Sequence, residues 1–458
     1  MSHAANTKHV VIVGGGFAGL AVAKKLAGRS GIRLTIVDRR NHHLFQPLLY
    51  QVATAGLSPA EIAAPIRSLL RGQSNAEVVL DTVVDIDANA RAVHTRGGQA
   101  IAYDYLVLAA GARHSYFGND QWEAHAPGLK SLEEATEIRR RVLTAFELAE
   151  RERDAAAQRR LLTFVVIGGG PTGVELAGAL GEISRYTLSR DFTNIDPRRT
   201  RVILIEAGKR LLKAFDPALS QRATEDLERL GVTVWTSTRV SEVTEEAVHF
   251  GNERVEAATV LWAAGVRASE LSERLEVERD RMGRVIVEAD CSVAGHPEVF
   301  VIGDQAHFAH TPDGEPLPGL APVATQQGRH VAANIRRELA GKQRAPFRYV
   351  DKGQMATIGR KRAIVQFGRL RYAGFFAWLS WLFVHIYYLI GFKNRLFVLF
   401  SWAWSYFSFR RGARLIVNKH WRPEHAPPRP ARAIQEEAEA AARSRPTERA
   451  ETPPAPAA

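Results

Sequence analysis

Seven short, nearly uninterrupted apolar runs punctuate this chain, and each stops at a glycine or a carboxylate: Val10–Val13, Leu34–Val37, Tyr105–Ala110, Phe164–Ile167, Val202–Ile205, Ala258–Ala264 and Val299–Ile302. Runs of this length without polar alternation predict strands buried on both faces of a parallel sheet. Ala- and Leu-rich stretches follow the first and fourth runs and predict helices, as does the Ala-, Glu- and Arg-rich stretch 131–158.

The glycines give the pattern its chemistry. Val10–Val13 runs into Gly14-Gly15-Gly16-Phe17-Ala18-Gly19, and Phe164–Ile167 into Gly168-Gly169-Gly170-Pro171-Thr172-Gly173. A strand that turns through such glycines lets the backbone come close to a pyrophosphate, which the free N–H groups of the following helix then hold. The next strand should end in a carboxylate for the ribose hydroxyls. Asp38 lies nineteen residues past Gly19, as the fingerprint asks, whereas Glu206 lies thirty-three past Gly173, so a longer connection is expected there. Two bound dinucleotides are therefore predicted. Tyr105–Ala110 and Ala258–Ala264 close the two halves on Gly111 and Gly265. Val299–Ile302 ends in Gly303-Asp304, where the Asp is a helix cap or, by resemblance to the second fingerprint of two-dinucleotide flavoproteins, the partner of a ribityl chain. The predicted fold is α/β, with two Rossmann-like dinucleotide-binding domains, the second inserted in the first. Expected bounds are 1–120 and 285–345 for the first domain, 121–284 for the second, 346–420 for a C-terminal membrane-anchoring region and 421–458 for a tail.

That C-terminal region is different in kind. From Phe375 to Phe392 aromatic and aliphatic residues crowd together without Lys, Arg, Asp or Glu; Lys393-Asn394-Arg395 interrupts, and Leu396–Phe409 resumes with Trp402, Trp404 and Tyr406. The formal net charge of the 458 residues is +12, yet Lys352–Pro423 alone holds thirteen Lys and Arg and no acid, leaving the remainder near neutral. Trp and Tyr beside cations describe a membrane interface. The first stretch is long enough to span a bilayer; the second is too short and carries Ser401, Ser405 and Ser408 on one stripe. Helices lying in the interface are favoured over a span. The tail after about Pro423 holds eight of twenty-one prolines and few large apolar residues, and is expected to be disordered.

One cysteine, Cys291, rules out a redox dithiol within the chain, and the first strand begins too near the N-terminus to leave room for a signal peptide. His42-His43 and the other histidines lack ligand spacing, so no metal is expected. No nucleic-acid module is visible, because the cations flank apolar helices. A nicotinamide that gives hydride and a flavin that accepts it need an acceptor. Without a dithiol, and with an apolar anchor, that acceptor is expected to be a quinone.

The GGGFAG run, His43–Ala53 with its Phe-Gln-Pro-Leu-Leu-Tyr core, Gly170-Pro171-Thr172-Gly173-Val174-Glu175, Trp262–Gly265, Gly303-Asp304 and the aromatic C-terminal segment together resemble the bacterial type II NADH dehydrogenases. The resemblance runs from Lys8 to Trp421. It implies FAD on Gly14, Gly16, Phe17, Ala18, Gly19, Asp38, Gly111 and Asp304, and NADH on Gly168, Gly170, Thr172, Gly173, Glu206 and Gly265. It also implies a catalytic role near both cofactors for Glu175, whose alternative is a carboxylate favoured by the start of its helix. The family's quinone signature is met by Ala321-Pro322-Val323-Ala324-Thr325-Gln326-Gln327-Gly328, except that Pro322 replaces a glutamine, which leaves Gln326 and Gln327 as candidates. The implied partners are ubiquinone or menaquinone and the lipid surface at the cytoplasmic face of the inner membrane, with a homodimer left open. Two other readings remain at this point: a soluble reductase of a protein acceptor such as a ferredoxin, and a nucleotide-binding sensor without turnover.

Overall fold

The computed structural model describes residues 7–189, 191–408 and 413–417; the expectation of a disordered tail falls outside them. The first part of the chain supplies β1 (Lys8–Val13), α1 (Phe17–Leu26), β2 (Ile32–Asp38), α2 (Leu49–Ala53), β3 (Ala76–Leu80) and β4 (Tyr105–Leu108). There follow α3 (Leu132–Arg151), β5 (Thr163–Ile167), α4 (Pro171–Glu182), β6 (Arg201–Ile205), β7 (Val232–Trp235) and β8 (Thr259–Trp262). The last part supplies β9 (Ser292–Val293), β10 (His296–Val301), α5 (Ala321–Leu339), β11 (Gln354–Gly359), β12 (Arg362–Phe367), β13 (Leu370–Ala373), α6 (Phe375–Tyr388) and α7 (Phe392–Ser408).

The apolar runs pair as their composition demands. One six-stranded sheet has the order β9-β10-β4-β1-β2-β3, parallel except where β9 meets β10. A second, four-stranded parallel sheet has the order β7-β6-β5-β8. Because β10 joins the first sheet only after the whole second sheet has been made, the second unit is an insertion in the first. In each sheet the central strand ends level with both neighbours: Val13 pairs with Val37 and Leu108, and Ile167 with Ile205 and Trp262. Each glycine turn therefore leaves its sheet between a carboxylate-ended strand and a small-residue strand. The long step from Gly173 to Glu206 is taken up by a π-helical turn at Ile183–Thr187 and a 3-10 turn at Pro197–Arg199.

The C-terminal region is built into the body of the protein. β11–β13 form an antiparallel sheet that packs on α4 so closely that a Cβ on Gly178 would stand 1.9 Å from the Ile358 carbonyl oxygen. Ala377, Trp381, Leu389 and Val398, from α6, α7 and their junction, are buried in the same core cluster as Tyr50 and Val52 of α2. The stretch expected to be long enough to span is broken: α6 has fourteen residues, Leu389 is extended, and Gly391 takes a left-handed φ of 90°. Fourteen helical residues cover about 21 Å, short of the roughly 30 Å hydrocarbon core. Among the described residues no helix is long and apolar enough to cross a membrane.

Candidate functional site

The two glycine loops are built on one plan. Gly14 and Gly168 take φ values of 104° and 112°, open to glycine and rarely to other residues. A Cβ on Gly14 would lie 2.4 Å from the Ala109 oxygen, and one on Gly168 would lie 2.6 Å from that of Ala263. Gly19 and Gly173 bring each helix onto its own turn, where a Cβ would stand 1.9 and 1.8 Å from the oxygens of Gly14 and Gly168. Gly16 and Gly170 differ: they cap α1 and α4, and a Cβ on either would meet nothing within 4 Å. Open space in front of a helix start lined by backbone N–H groups is the cradle a pyrophosphate needs. Thr172 is exposed in the first turn of α4.

The carboxylates close both cradles identically. Asp38 Oδ2 accepts from the Gly15 N–H at 2.6 Å, and Glu206 Oε2 accepts from the Gly169 N–H at 2.6 Å. The unusual spacing of Glu206 thus leaves its placement unchanged. The Arg210 guanidinium, close to it in sequence, is turned away, donating to the carbonyls of Phe215 and Lys213 and to the Ser220 hydroxyl. Gly265 is covered: a Cβ there would approach Phe117 Cζ to 2.7 Å, whereas one on Gly111 would meet nothing.

Asp304 arrives at the first loop from the far end of the chain. Its turn touches Ala18 and α5, and a Cβ on Gly328 of α5 would stand 2.3 Å from the Ala18 oxygen. Asp304 Oδ2 faces Lys130 Nζ at 3.7 Å. Buried Gln305 locks this turn to the end of β4, accepting from the Ala110 N–H at 2.6 Å and donating to Ser272 Oγ at 3.0 Å. Sequence reading passed over Gln305 and Lys130, since neither sits in a motif. His43 entered only as the start of a resembling stretch and in the rejection of a metal, without a role of its own. This buried imidazole meets the Gly15 carbonyl at 3.0 Å through Nδ1 and stands edge-on to Phe17 at 5.1 Å, and burial pushes its pKa down to about 4. Held neutral, it can donate to the loop.

Glu175 lies one turn inside α4, and among the described residues its carboxyl accepts only from the Thr357 N–H, at 3.5 Å. The residue keeps some exposed surface, yet burial of its carboxyl pushes the pKa up to about 8. A carboxylate stabilised by a helix start would shift the other way. Gln327 is buried and accepts from the Gly303 N–H at 2.8 Å, tying α5 to the Asp304 turn. Gln326 faces elsewhere: its Nε2 donates to the Val350 carbonyl at 2.9 Å and its Oε1 accepts from the Val350 N–H at 3.0 Å. The structure therefore brings Gly14–Gly19, Asp38, Gly111, Asp304 and Gln327 together, sets Gln326 outside that group, and gathers Gly168–Gly173 with Glu206 at the second loop. Cys291 is buried in the core, which pushes its thiol up and out of ready ionisation.

Paired loops on two sheets, one inserted in the other, define a two-dinucleotide oxidoreductase, and the family described as pyridine nucleotide-disulphide oxidoreductase matches residues 8–328. The type II NADH:quinone oxidoreductase Ndh of Mycobacterium tuberculosis is 44% identical over 428 residues, covering 90% of each chain. The type II NADH:quinone oxidoreductase of Staphylococcus haemolyticus is 30% identical, covering 80% of this chain and 91% of that one. In fold the chain is similar to NDH2 from Plasmodium falciparum, solved in complex with NADH, at 18% identity and a TM-score of 0.82, covering 90% of this chain and all of that one. The chain belongs to the type II NADH:quinone oxidoreductases, within the pyridine nucleotide-disulphide oxidoreductase family.

Proposed function

We propose that this chain oxidises NADH and reduces a membrane quinone through FAD, without pumping protons. The observation that carries the reading is the repeated cradle, Gly15 on Asp38 and Gly169 on Glu206, joined to an apolar aromatic region built into the same core. The first loop, Asp38, Gly111 and Asp304 would hold FAD; the second loop, Glu206 and Gly265 would hold NADH. When bound, the nicotinamide supplies hydride and the flavin takes it and passes electrons on. The residues do the rest. Asp38 and Glu206 would accept from ribose hydroxyls, Asp304 would accept from the ribityl chain, and Phe117 would have to give way over Gly265 for the second nucleotide to approach. Gln327 keeps its Nε2 for a quinone carbonyl, while Gln326 would have to release Val350 first. These roles go with a division of the chain near residues 120, 284 and 345.

The membrane reading rests on where α6 and α7 put their aromatics. Phe376, Phe383, Tyr387 and Phe400 point away from the protein while Trp381 is buried. Such helices lie in a bilayer interface rather than across it, and the two nucleotide loops would then face the cytosol at the inner membrane.

The direct test is turnover. NADH reduces the bound flavin and a short-chain quinone reoxidises it, and NADPH is poorer by roughly 100-fold in kcat/KM, since Glu206 would face a 2′-phosphate while the Arg210 guanidinium is held elsewhere. Comparable efficiencies with both nucleotides would overturn the role of Glu206; reoxidation by a ferredoxin and not by quinones would overturn the acceptor.

Glu175 carries a second prediction, because a carboxyl with a pKa of about 8 holds its proton at neutral pH and can deliver it to the reaction. Glu175→Gln keeps FAD but lowers turnover by about 100-fold and abolishes the loss of activity above pH 8. Stability has its own signature. The folded pKa is raised, so the contribution is fully present below pH 4.5 and is lost as pH rises through about 8. The denaturation temperature across that window should fall with pH in the parent more than in Glu175→Gln, and parallel curves would return Glu175 to a packing role.

A further inference from the structure

Between the β11–β13 sheet and α6 runs an open groove of 510 Å³ whose walls are mostly carbon: Val365, Phe367 and Leu370 from the sheet, Leu379, Phe383 and Val384 from the helix. The volume suits a small apolar ligand. Its polar lining is largely satisfied from within the protein. Tyr372 OH donates to Ser380 Oγ, which donates to the Phe376 carbonyl; Gln366 accepts from the Asp216 N–H, and Gln354 donates to the Ala214 carbonyl. An occupant therefore need not supply hydrogen bonds along most of the groove, and water gains little by staying there.

One end is different. Gln354 pairs in register with Gln366, and Lys352, two residues earlier, reaches the groove at that end. Lys352 is exposed and has no ion pair among the described residues; no Asp or Glu follows it as far as Pro423, and Asp351 just before it accepts from the Gly353 N–H. The neighbouring Arg371 is already engaged by Asp216. The groove shares Phe383 and Leu379 with the helix whose outward aromatics carry the membrane reading, so it opens where lipid would be.

We infer that this groove takes one acyl chain of an anionic phospholipid, with the headgroup phosphate at Lys352. The inference rests on the membrane reading above and adds a specific lipid site to a surface that would otherwise only be greasy. An apolar channel with internally satisfied polar atoms accepts a hydrocarbon chain, and the exposed Lys352 ammonium at its mouth selects a negative headgroup over a zwitterionic one.

The full-length flavoprotein is bound to phosphatidylcholine vesicles containing a minority of phosphatidylglycerol, extracted in mild detergent and examined by native mass spectrometry, with vesicle flotation measured in parallel. The parent retains one phosphatidylglycerol per chain. Lys352→Gln lowers that retention roughly fivefold, the equivalent of one basic contact to an anionic headgroup. Val384→Trp, which fills the groove, removes it, and still floats with vesicles and keeps its flavin. Leu370→Trp serves the same purpose from the sheet side if Val384→Trp fails to fold. A parent that does not float overturns the membrane reading itself. A parent that floats but retains phosphatidylcholine equally, retains a quinone in place of the lipid, or retains the same lipid after the groove is filled overturns the site alone.

Discussion

Gly19→Ala will yield a protein without flavin, whereas Gly173→Ala will yield one with flavin that NADH reduces poorly. In both helices the first turn is pressed onto its own loop, and the added methyl would overlap a backbone oxygen at 1.9 or 1.8 Å. Backbone cannot rotate away as a side chain can, so the loop or the helix must move, at a cost above the roughly 1–3 kcal/mol usual for overpacking. Moving the first loop withdraws the Gly15 N–H from Asp38 and tilts the helix start that would hold the pyrophosphate. Moving the second does the same at Glu206 and leaves the first sheet alone. Gly16→Ala is the informative companion. Its methyl meets no protein atom, so the chain folds as before, but it stands in the open cradle and weakens flavin binding without changing thermal stability of the apoprotein. Flavin absorbance per chain and the rate of its bleaching by NADH separate the three variants. Full flavin occupancy in Gly19→Ala would remove the close approach as the reason for that glycine.

The cradles were legible in the sequence because each depends on glycines that no other residue can replace and on a carboxylate at a strand end. Glu206 ends its strand beside the second loop despite its spacing, since extra turns outside the sheet do not alter where a strand stops. What was not legible depends on contacts distant in sequence. Nothing in the period of residues 354–373 announces that this sheet will close on α4, with Gly178 against Ile358; the run read simply as part of a basic, membrane-facing end. The density of aromatics in α6 was readable as an expected interface, but not that Trp381 would turn inward beside Tyr50, with their rings 6.4 Å apart, while Phe376 turned out. The pKa of Glu175 was equally hidden, because it is set by burial of the carboxyl away from water, and only a folded chain has a buried interior.

Replacing Phe376, Tyr387 and Phe400 together by serine will release the protein from membranes without unfolding it. These side chains are 74%, 60% and 66% exposed, so the folded protein loses little by their removal. Each contributes roughly 1.5–3 kcal/mol when moved from water into an acyl layer, and the three together should lower vesicle partitioning by about a thousandfold or more. Trp381→Ala is the opposite case: at 1% exposure it leaves a cavity costing about 3–5 kcal/mol of stability before any lipid is involved. The cations of this region do not compete with the aromatics on equal terms. Arg362 and Arg371 are paired with Asp226 and Asp216, and Arg395 donates to the Leu389 carbonyl, so they are committed to the protein rather than to lipid phosphates. Salt screens what remains over about 10 Å or less. Flotation with anionic vesicles in low and high salt therefore separates the two forces: high salt should weaken binding of the parent without abolishing it, and the triple serine variant should fail in both. Complete release of the parent by salt alone would mean that the exposed aromatics do not enter the bilayer.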